Sequence, residues 1–236
     1  MAQAAQTVCC GTRVICEDCD ARHLAVCHRL APEHLPQLAA LAAARRVAPG
    51  KLLFEEGDLA EEVFTVTFGM LKVFKMLRDG RRQVIGFLVP GDFLGLAFGR
   101  TYVYSAEAVS PVTVCRFRRE QFMSLLEVRP ELELEILGRI STELAAAQDQ
   151  MLLLGRKTAR ERLATFLLHL ARRRGLHDGD ILELPMSRAD IADNLGLTIE
   201  TVSRTFSSLR KDKVIELKPH HDVLIPRFAD LEQVGG

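Results

Sequence analysis

Tryptophan is absent and tyrosine occurs only twice, so aromatic side chains make up 6% of the 236 residues. A core built from this chain rests on Leu, Val, Ile and Ala, with twelve phenylalanines. Net charge is absent too: 31 Lys and Arg balance 31 Asp and Glu. A neutral total neither points to nucleic acid nor excludes it, because a binding face needs only local basic density. No apolar run approaches the roughly 20 residues that span a bilayer. The N-terminus lacks the basic start and apolar stretch of an export signal. Both absences predict a cytoplasmic chain with no membrane partner. Also missing are a Gly-rich phosphate loop of the usual kinds, a nucleophile elbow and any recognisable catalytic spacing of His and carboxylates. The chain therefore does not read as an enzyme.

What is present is a well-supplied core, with 48% hydrophobic and 26% charged residues. The length suits one large or two small domains. A helix rich in Leu and Ala is predicted over residues 33–44. From 47 to 117 short apolar runs are punctuated by Pro49-Gly50, Gly57-Asp58, Asp79-Gly80 and Pro90-Gly91-Asp92. That pattern predicts many short antiparallel strands, hence a small barrel or sandwich. A long helix follows over 130–154. In it Ile136, Ile140, Leu144, Ala147, Met151 and Leu154 recur at spacings of four, four, three, four and three. The spacing is close to a coiled-coil seam. It predicts a homodimer contact; the alternative is a helix packed on its own barrel.

The last third reads as a DNA-binding unit. Ser187 can cap a helix whose buried face is Ile191, Ala192 and Leu195, and Leu195-Gly196-Leu197 makes a tight turn. Thr198 caps a second helix over about 199–211. Val202, Phe206 and Leu209 anchor one face of it. Glu200, Ser203, Arg204 and Ser207 share the opposite face, and with Ser187, Arg188, Thr198 and Thr201 they make up the expected DNA-contacting set. A helix-turn-helix needs this division, one face buried and one free for the major groove. Arg suits guanine, Glu the cytosine amino group, and Ser several base edges or a phosphate. Residues 214–217 and 223–225 then predict a hairpin wing. Arg210, Lys211, Lys213 and Lys218 supply charge for phosphates.

Five of the six cysteines fall within the first 27 residues. Cys16-Glu17-Asp18-Cys19 is a C-x2-C pair, Cys27 follows, and Cys10 with Cys16 and Cys19 makes a competing triplet. In a reducing compartment such clusters are metal ligands or redox centres more often than disulfides. Spacing leaves zinc, an iron–sulfur cluster and free redox thiols all open, with His23, His28 or His34 as further zinc ligands. Cys115, in a strand-like run, reads in isolation as a small buried apolar residue.

Together these residues resemble the FNR (fumarate and nitrate reduction regulator) branch of the cyclic-AMP-receptor-like regulators, along nearly the whole chain. The sharpest piece is Leu197-Thr198-Ile199-Glu200-Thr201-Val202-Ser203-Arg204, which is similar to the family's recognition helix. The resemblance implies an α+β fold. It would comprise a cysteine-rich segment (1–30), a cyclic-nucleotide-binding-like β-roll of jelly-roll type (31–129), a dimerisation helix (130–154) and a winged helix-turn-helix (155–236). It implies a [4Fe–4S] cluster held by Cys16, Cys19, Cys27 and Cys115, and a palindromic operator resembling TTGAT, four free bases, ATCAA. It also implies RNA polymerase as a partner and loss of operator affinity when oxygen damages the cluster. Two departures stand out. Tyr104 occupies the place where cyclic-AMP-binding relatives carry an Arg before the Ser, so an anionic phosphate loses its charged partner and cyclic AMP is not expected as a ligand. Ala147 replaces an acidic residue of the enteric dimer helix, which removes a charge that opposes pairing. Another ligand, such as haem, or thiol oxidation with zinc or no metal at the cysteines, is the rival form of gating.

Overall fold

The structure is a computed structural model that describes residues 16, 19–96 and 99–236. Cys9 and Cys10, and with them the Cys10 triplet, lie outside the described residues. The chain divides into two compact units. The first takes residues up to Lys75 together with Gly86–Thr142; the second takes Met76–Ile85 and Glu143–Gly236.

In the first unit the cysteine segment carries two short 3-10 turns, Val26–Arg29 and Pro32–His34. Helix α1 (Leu35–Leu41) follows and buries Leu35 and Leu38. The helix stops three residues earlier than its alanines suggest. Ala42 turns extended, and strand β1 (Ala42–Val47) pairs along β8 (Val112–Arg118) with Ala42 opposite Phe117 and Ala44 opposite Cys115. A full ladder of sheet hydrogen bonds outweighs the small helix preference of three alanines.

Between them run β2 (Leu52–Phe54), β3 (Glu62–Phe68), β4 (Leu71–Met76), β5 (Arg82–Leu88), β6 (Phe93–Leu94) and β7 (Ser105–Ala108). They form two four-stranded sheets, ordered β1-β8-β3-β6 and β2-β7-β4-β5. The observed pairings are antiparallel, as the short runs and turn pairs predict. Alternation along the strands fills the inside with Phe64, Val66, Leu71, Val73, Val112 and Val114.

The opposite face of β8 is buried as well. Cys115 and Phe117 point into a second core with Val26, Leu30, Leu35 and Leu38. Helix α2 (Arg119–Glu127), which the sequence pattern did not reveal, closes this core with Phe122, Leu125 and Leu126. Helix α3 (Pro130–Arg156) begins beside it and adds Leu132 and Ile136. One seam assignment is corrected here. Ile136 is 5% exposed inside its own unit, whereas Leu137, omitted from the seam, is 55% exposed. Ile140, Leu144 and Met151 are exposed apolar residues, Ala147 is exposed, and Leu154 is half-buried. No helix among the described residues is long and apolar enough to cross a membrane.

The second unit comprises the rest of α3, then α4 (Ala159–Arg173), β9 (Ile181–Leu182), α5 (Arg188–Leu195), α6 (Ile199–Lys211), β10 (Glu216–Leu217), β11 (Val223–Leu224) and α7 (Phe228–Gly235). Thr158 and Glu161 form a capping box at α4. The predicted wing is present as β10 and β11. A third strand, β9, extends it in the order β10-β11-β9. Neither β9 nor α7 was foreseen.

Replacing Phe122 by Ala should remove about 3–5 kcal/mol of stability, because this ring is fully buried in the second core. Chemical denaturation of the variant beside the parent chain measures it.

Candidate functional site

Two constellations emerge, one in each unit. The first is built on β8. Strand pairing on both sides holds Cys115 in register with Ala44 of β1 and Thr65 of β3. The other three thiols come from the segment laid over that sheet. Cys16 is buried like Cys115, while Cys19 and Cys27 are half-buried. All four line one cavity, together with Ala25, Val26, Leu38, Thr65, Thr67 and Phe117. The wall around them is apolar apart from the two threonines, and the Thr67 hydroxyl donates to the Thr113 carbonyl at 3.0 Å. Burial, followed by the neighbouring Cys19, pushes the Cys27 thiol above its ordinary value.

The space left between the thiols is small, about 20 Å³. Among the described residues no three His, Cys, Asp or Glu side chains converge closely enough to hold one metal ion. A zinc tetrahedron with bonds of about 2.3 Å would need sulfurs roughly 3.8 Å apart. A polynuclear cluster, in which each iron takes its own thiolate, suits a wider spread of four sulfurs. The donor set therefore fits an iron–sulfur cluster in chemistry.

The second constellation is the helix pair α5–α6. Ser187 Oγ accepts from the Asp190 backbone N–H, and Asp190 Oδ2 accepts from the Ser187 N–H, both at 3.1 Å. Gly196 ends α5 in the left-handed conformation, with φ of 62°. That geometry is open to glycine and sets the sharp entry into α6. Thr198 Oγ1 then accepts from Thr201 N at 3.2 Å and starts α6. The faces divide as expected. Val202, Phe206 and Leu209 are buried, and Glu200, Ser203, Arg204 and Ser207 are exposed. Hydrogen bonds from its own backbone N–H and from the Thr198 hydroxyl hold the Glu200 carboxyl below the usual range. Glu200 is thus an ionised acceptor at neutral pH.

Arg188 lies elsewhere than at the polar face. Its guanidinium carbon sits 3.2 Å from the centroid of the Phe206 ring. The stacking joins α5 to the buried side of α6. Burial lowers the Arg188 pKa to about 10, which leaves it charged at neutral pH. Of the basic residues expected around the wing, Arg210, Lys211 and Lys213 are exposed. Lys218 is paired with Glu216 at 2.8 Å.

Sequence reasoning missed the grip on α5 inside the same unit. Arg82 donates to Asp190 at 2.9 Å and to Asp193 at 3.0 Å, and Asn194 donates to the Val84 carbonyl at 3.1 Å. An acidic residue at a helix start reads locally as a cap, so nothing in the local pattern betrayed the second partner of Asp190.

Comparison with known proteins follows the same division. Residues 44–129 match the cyclic nucleotide-binding domain, and residues 161–234 match the Crp-like helix-turn-helix domain. The chain is 46% identical over 218 residues to the transcriptional activatory protein AadR of Rhodopseudomonas palustris, covering 90% of each chain. It is 38% identical over 227 residues to the transcriptional activator protein FnrL of Cereibacter sphaeroides, covering 94% of this chain and 92% of that one. Its fold matches the solved structure of FixK2 from Bradyrhizobium japonicum with a TM-score of 0.78 at 35% identity, covering 83% of this chain and 98% of that one.

Burial of Cys27 has a chemical consequence. In metal-free folded chain, alkylation of Cys27 should be slower than in denatured chain over roughly pH 7–9, because burial favours the unreactive thiol over the thiolate. Mass-spectrometric mapping of iodoacetamide labelling measures this, and equal rates would mean a solvated thiol.

Proposed function

The chain belongs to the CRP/FNR family of transcriptional activators, and from that premise we propose that it is an oxygen- and redox-responsive regulator carrying a [4Fe–4S] cluster on Cys16, Cys19, Cys27 and Cys115. It acts in the cytoplasm as a homodimer, on a palindrome resembling TTGAT, four free bases, ATCAA, and engages RNA polymerase there. The observation that carries the reading is the meeting of four thiols from two distant parts of the chain in one apolar cavity.

When bound, the cluster supplies an oxygen-labile cross-link between the cysteine segment and β8. The protein's own residues account for the rest. Cys115 is held in β8, an inner strand paired with β1 on one side and β3 on the other, so it is the fixed anchor. Cys19 and Cys27 belong to a segment with no regular structure beyond short turns, so they are the movable side. Cys16 and Cys115 share their core with Leu132 and Ile136 of α3. A change in that core therefore acts on the helix that carries Leu137, Ile140, Leu144, Ala147 and Met151. These residues lie three or four apart along one stripe of the helix. A second copy of the same helix covers such a stripe. Ala147 adds no charge to it.

Paired chains present two copies of α6 to successive major grooves. On each, Arg204 makes the bidentate contact to guanine, Glu200 accepts from a cytosine amino group, and Ser203 contacts a neighbouring edge. Arg210, Lys211 and Lys213 answer the phosphates.

The same reading leaves cyclic AMP aside. Tyr104 Oη accepts from the Gly95 N–H at 3.4 Å, and Ser105 Oγ accepts from the Glu56 N–H at 3.0 Å. The Gly95 N–H is thus engaged within the protein, and the neutral Tyr104 phenol offers a phosphate no charged partner.

Protein purified without air should contain four irons and four sulfides per chain, as the proposed cluster requires. Its binding to the palindrome should be lost on exposure to air. Iron-free protein, a zinc-only protein, or binding indifferent to air would sink the proposal. Separately, Arg204→Ala should weaken specific binding by about 1–3 kcal/mol and relax one position of each half-site, with iron content unchanged. Titration against operators altered at single positions provides the check.

A further inference from the structure

We propose that Arg139 is the positioning residue through which the placement of the cysteine segment sets the pairing of α3; the inference rests on the cluster reading above. Its guanidinium is divided among three acceptors. Nη2 donates to the Leu24 carbonyl at 2.6 Å, Nη1 to the Gly91 carbonyl at 2.9 Å, and Nε to Glu135 Oε1 at 3.0 Å. Leu24 lies in the loop between Cys19 and Cys27. Gly91 lies in the turn before β6. Glu135 stands one helical turn before Arg139 on α3, and its second oxygen accepts from Arg29 Nε at 3.2 Å. Arg29 is two residues beyond Cys27. The segment that bears two of the thiols is thus fastened to α3 on both sides of Cys27.

The contact with Gly91 is close enough to leave little slack. Its φ is +98°, and a Cβ built there would lie 2.5 Å from Leu24 Cβ and 2.8 Å from the Leu24 carbonyl oxygen. Leu24 therefore rests directly on the turn while Arg139 grips its carbonyl. The two links differ in weight. Arg29 is 63% exposed, so its pair with Glu135 is screened by water. The side chain of Arg139 is 26% exposed and that of Glu135 is 16% exposed, so that pair and the two charge-assisted bonds to carbonyls are the stronger connection.

On a helix with 3.6 residues per turn, Arg139 stands with Glu135 on the flank of α3 beside the buried Leu132 and Ile136, and the exposed stripe of Leu137 and Ile140 lies on the other side of Ile136 along the same turns. When residues 19–27 move relative to β8, the Leu24 carbonyl leaves the fork. A guanidinium that has lost an acceptor must find water or another carbonyl. Whichever it finds, the cysteine segment no longer clamps this turn of α3 to the Gly91 turn, and the stripe carried by the same helix loses its fixed setting. Held in the fork, the same guanidinium fixes that turn of α3. Planarity matters: a guanidinium spans three acceptors in fixed directions, whereas a lysine ammonium at the end of a flexible stem does not reproduce the arrangement.

The test uses full-length wild type, Arg139→Ala and Arg139→Lys, each prepared without air. Iron and sulfide content and the dimer dissociation constant are measured before and after air exposure. Both variants are expected to keep the iron and sulfide of the wild type while their dimer constant responds to air by less than about threefold, against roughly tenfold or more in the wild type, the scale of a typical coupling between sites. A wild-type response to air in Arg139→Ala, or its full restoration by Arg139→Lys, overturns the proposal. Loss of iron from the variants overturns it too, since Arg139 would then serve retention of the cluster. Amide exchange in metal-free protein separates this inference from its premise. Residues 20–30 should exchange about tenfold faster in Arg139→Ala than in wild type, and unchanged exchange overturns the fork. If the wild type holds no iron, the cluster reading fails on that result alone, and the exchange data with the metal-free dimer constants still decide whether Arg139 links the segment to α3.

Discussion

Burial of β8 on both faces is the constraint on which the first unit depends. Most strands of a two-sheet roll keep one face in the core and one toward water. Here Val112 and Val114 fill the inside, and Cys115 and Phe117 fill a second core outside. That second core exists because α1, α2, the start of α3 and the cysteine segment all lie against the same sheet face. The thiol cavity is thus a place where a rigid strand, a loosely structured segment and a helix meet. A strand hydrogen-bonded on both sides has little freedom to move, so displacement at the cavity falls on the loop side and on the helix that shares the core.

The division of labour along α3 follows from the same packing. Leu132 and Ile136 are drawn inward, and this turns Leu137, Ile140, Leu144 and Met151 outward. A helix serving an intramolecular core at one end and an exposed stripe along the rest must carry two apolar faces. This explains why its apolar residues are too many for a single heptad reading. Arg139 lies at the edge of the inward face, on the side away from the stripe, with its charge held by two carbonyls and a carboxylate.

In the second unit, caps and stacking set the helix ends on top of a well-buried core. The Ser187–Asp190 capping box, the left-handed Gly196 and the Thr198 cap define where α5 ends and α6 begins. Arg188 over Phe206 ties the two helices together from the buried side. Glu200, Ser203, Arg204 and Ser207 can then face outward as a group, because Val202, Phe206 and Leu209 anchor the other face of α6. Contact with Asp190 from Arg82 adds a partner far away in sequence. The helix-turn-helix therefore rests on more than its own short stretch of chain.

How much was legible in the chain depended on whether the deciding interactions were local. Periodicity and capping residues sufficed for α6 and its two faces, and Gly and Pro pairs for the antiparallel strands, because turn geometry and helical spacing act over a few residues. The likeness to known regulators supplied the link between Cys115 and the N-terminal cysteines, which no local pattern contains. Tertiary packing alone decided that Ala42–Ala44 pair as strand, that Ile136 turns inward, that Arg188 stacks on Phe206 and that Arg139 reaches Leu24. Each of those outcomes is a competition between a weak local preference and a partner many residues away. The winner is set by which groups the fold brings together and shields from water.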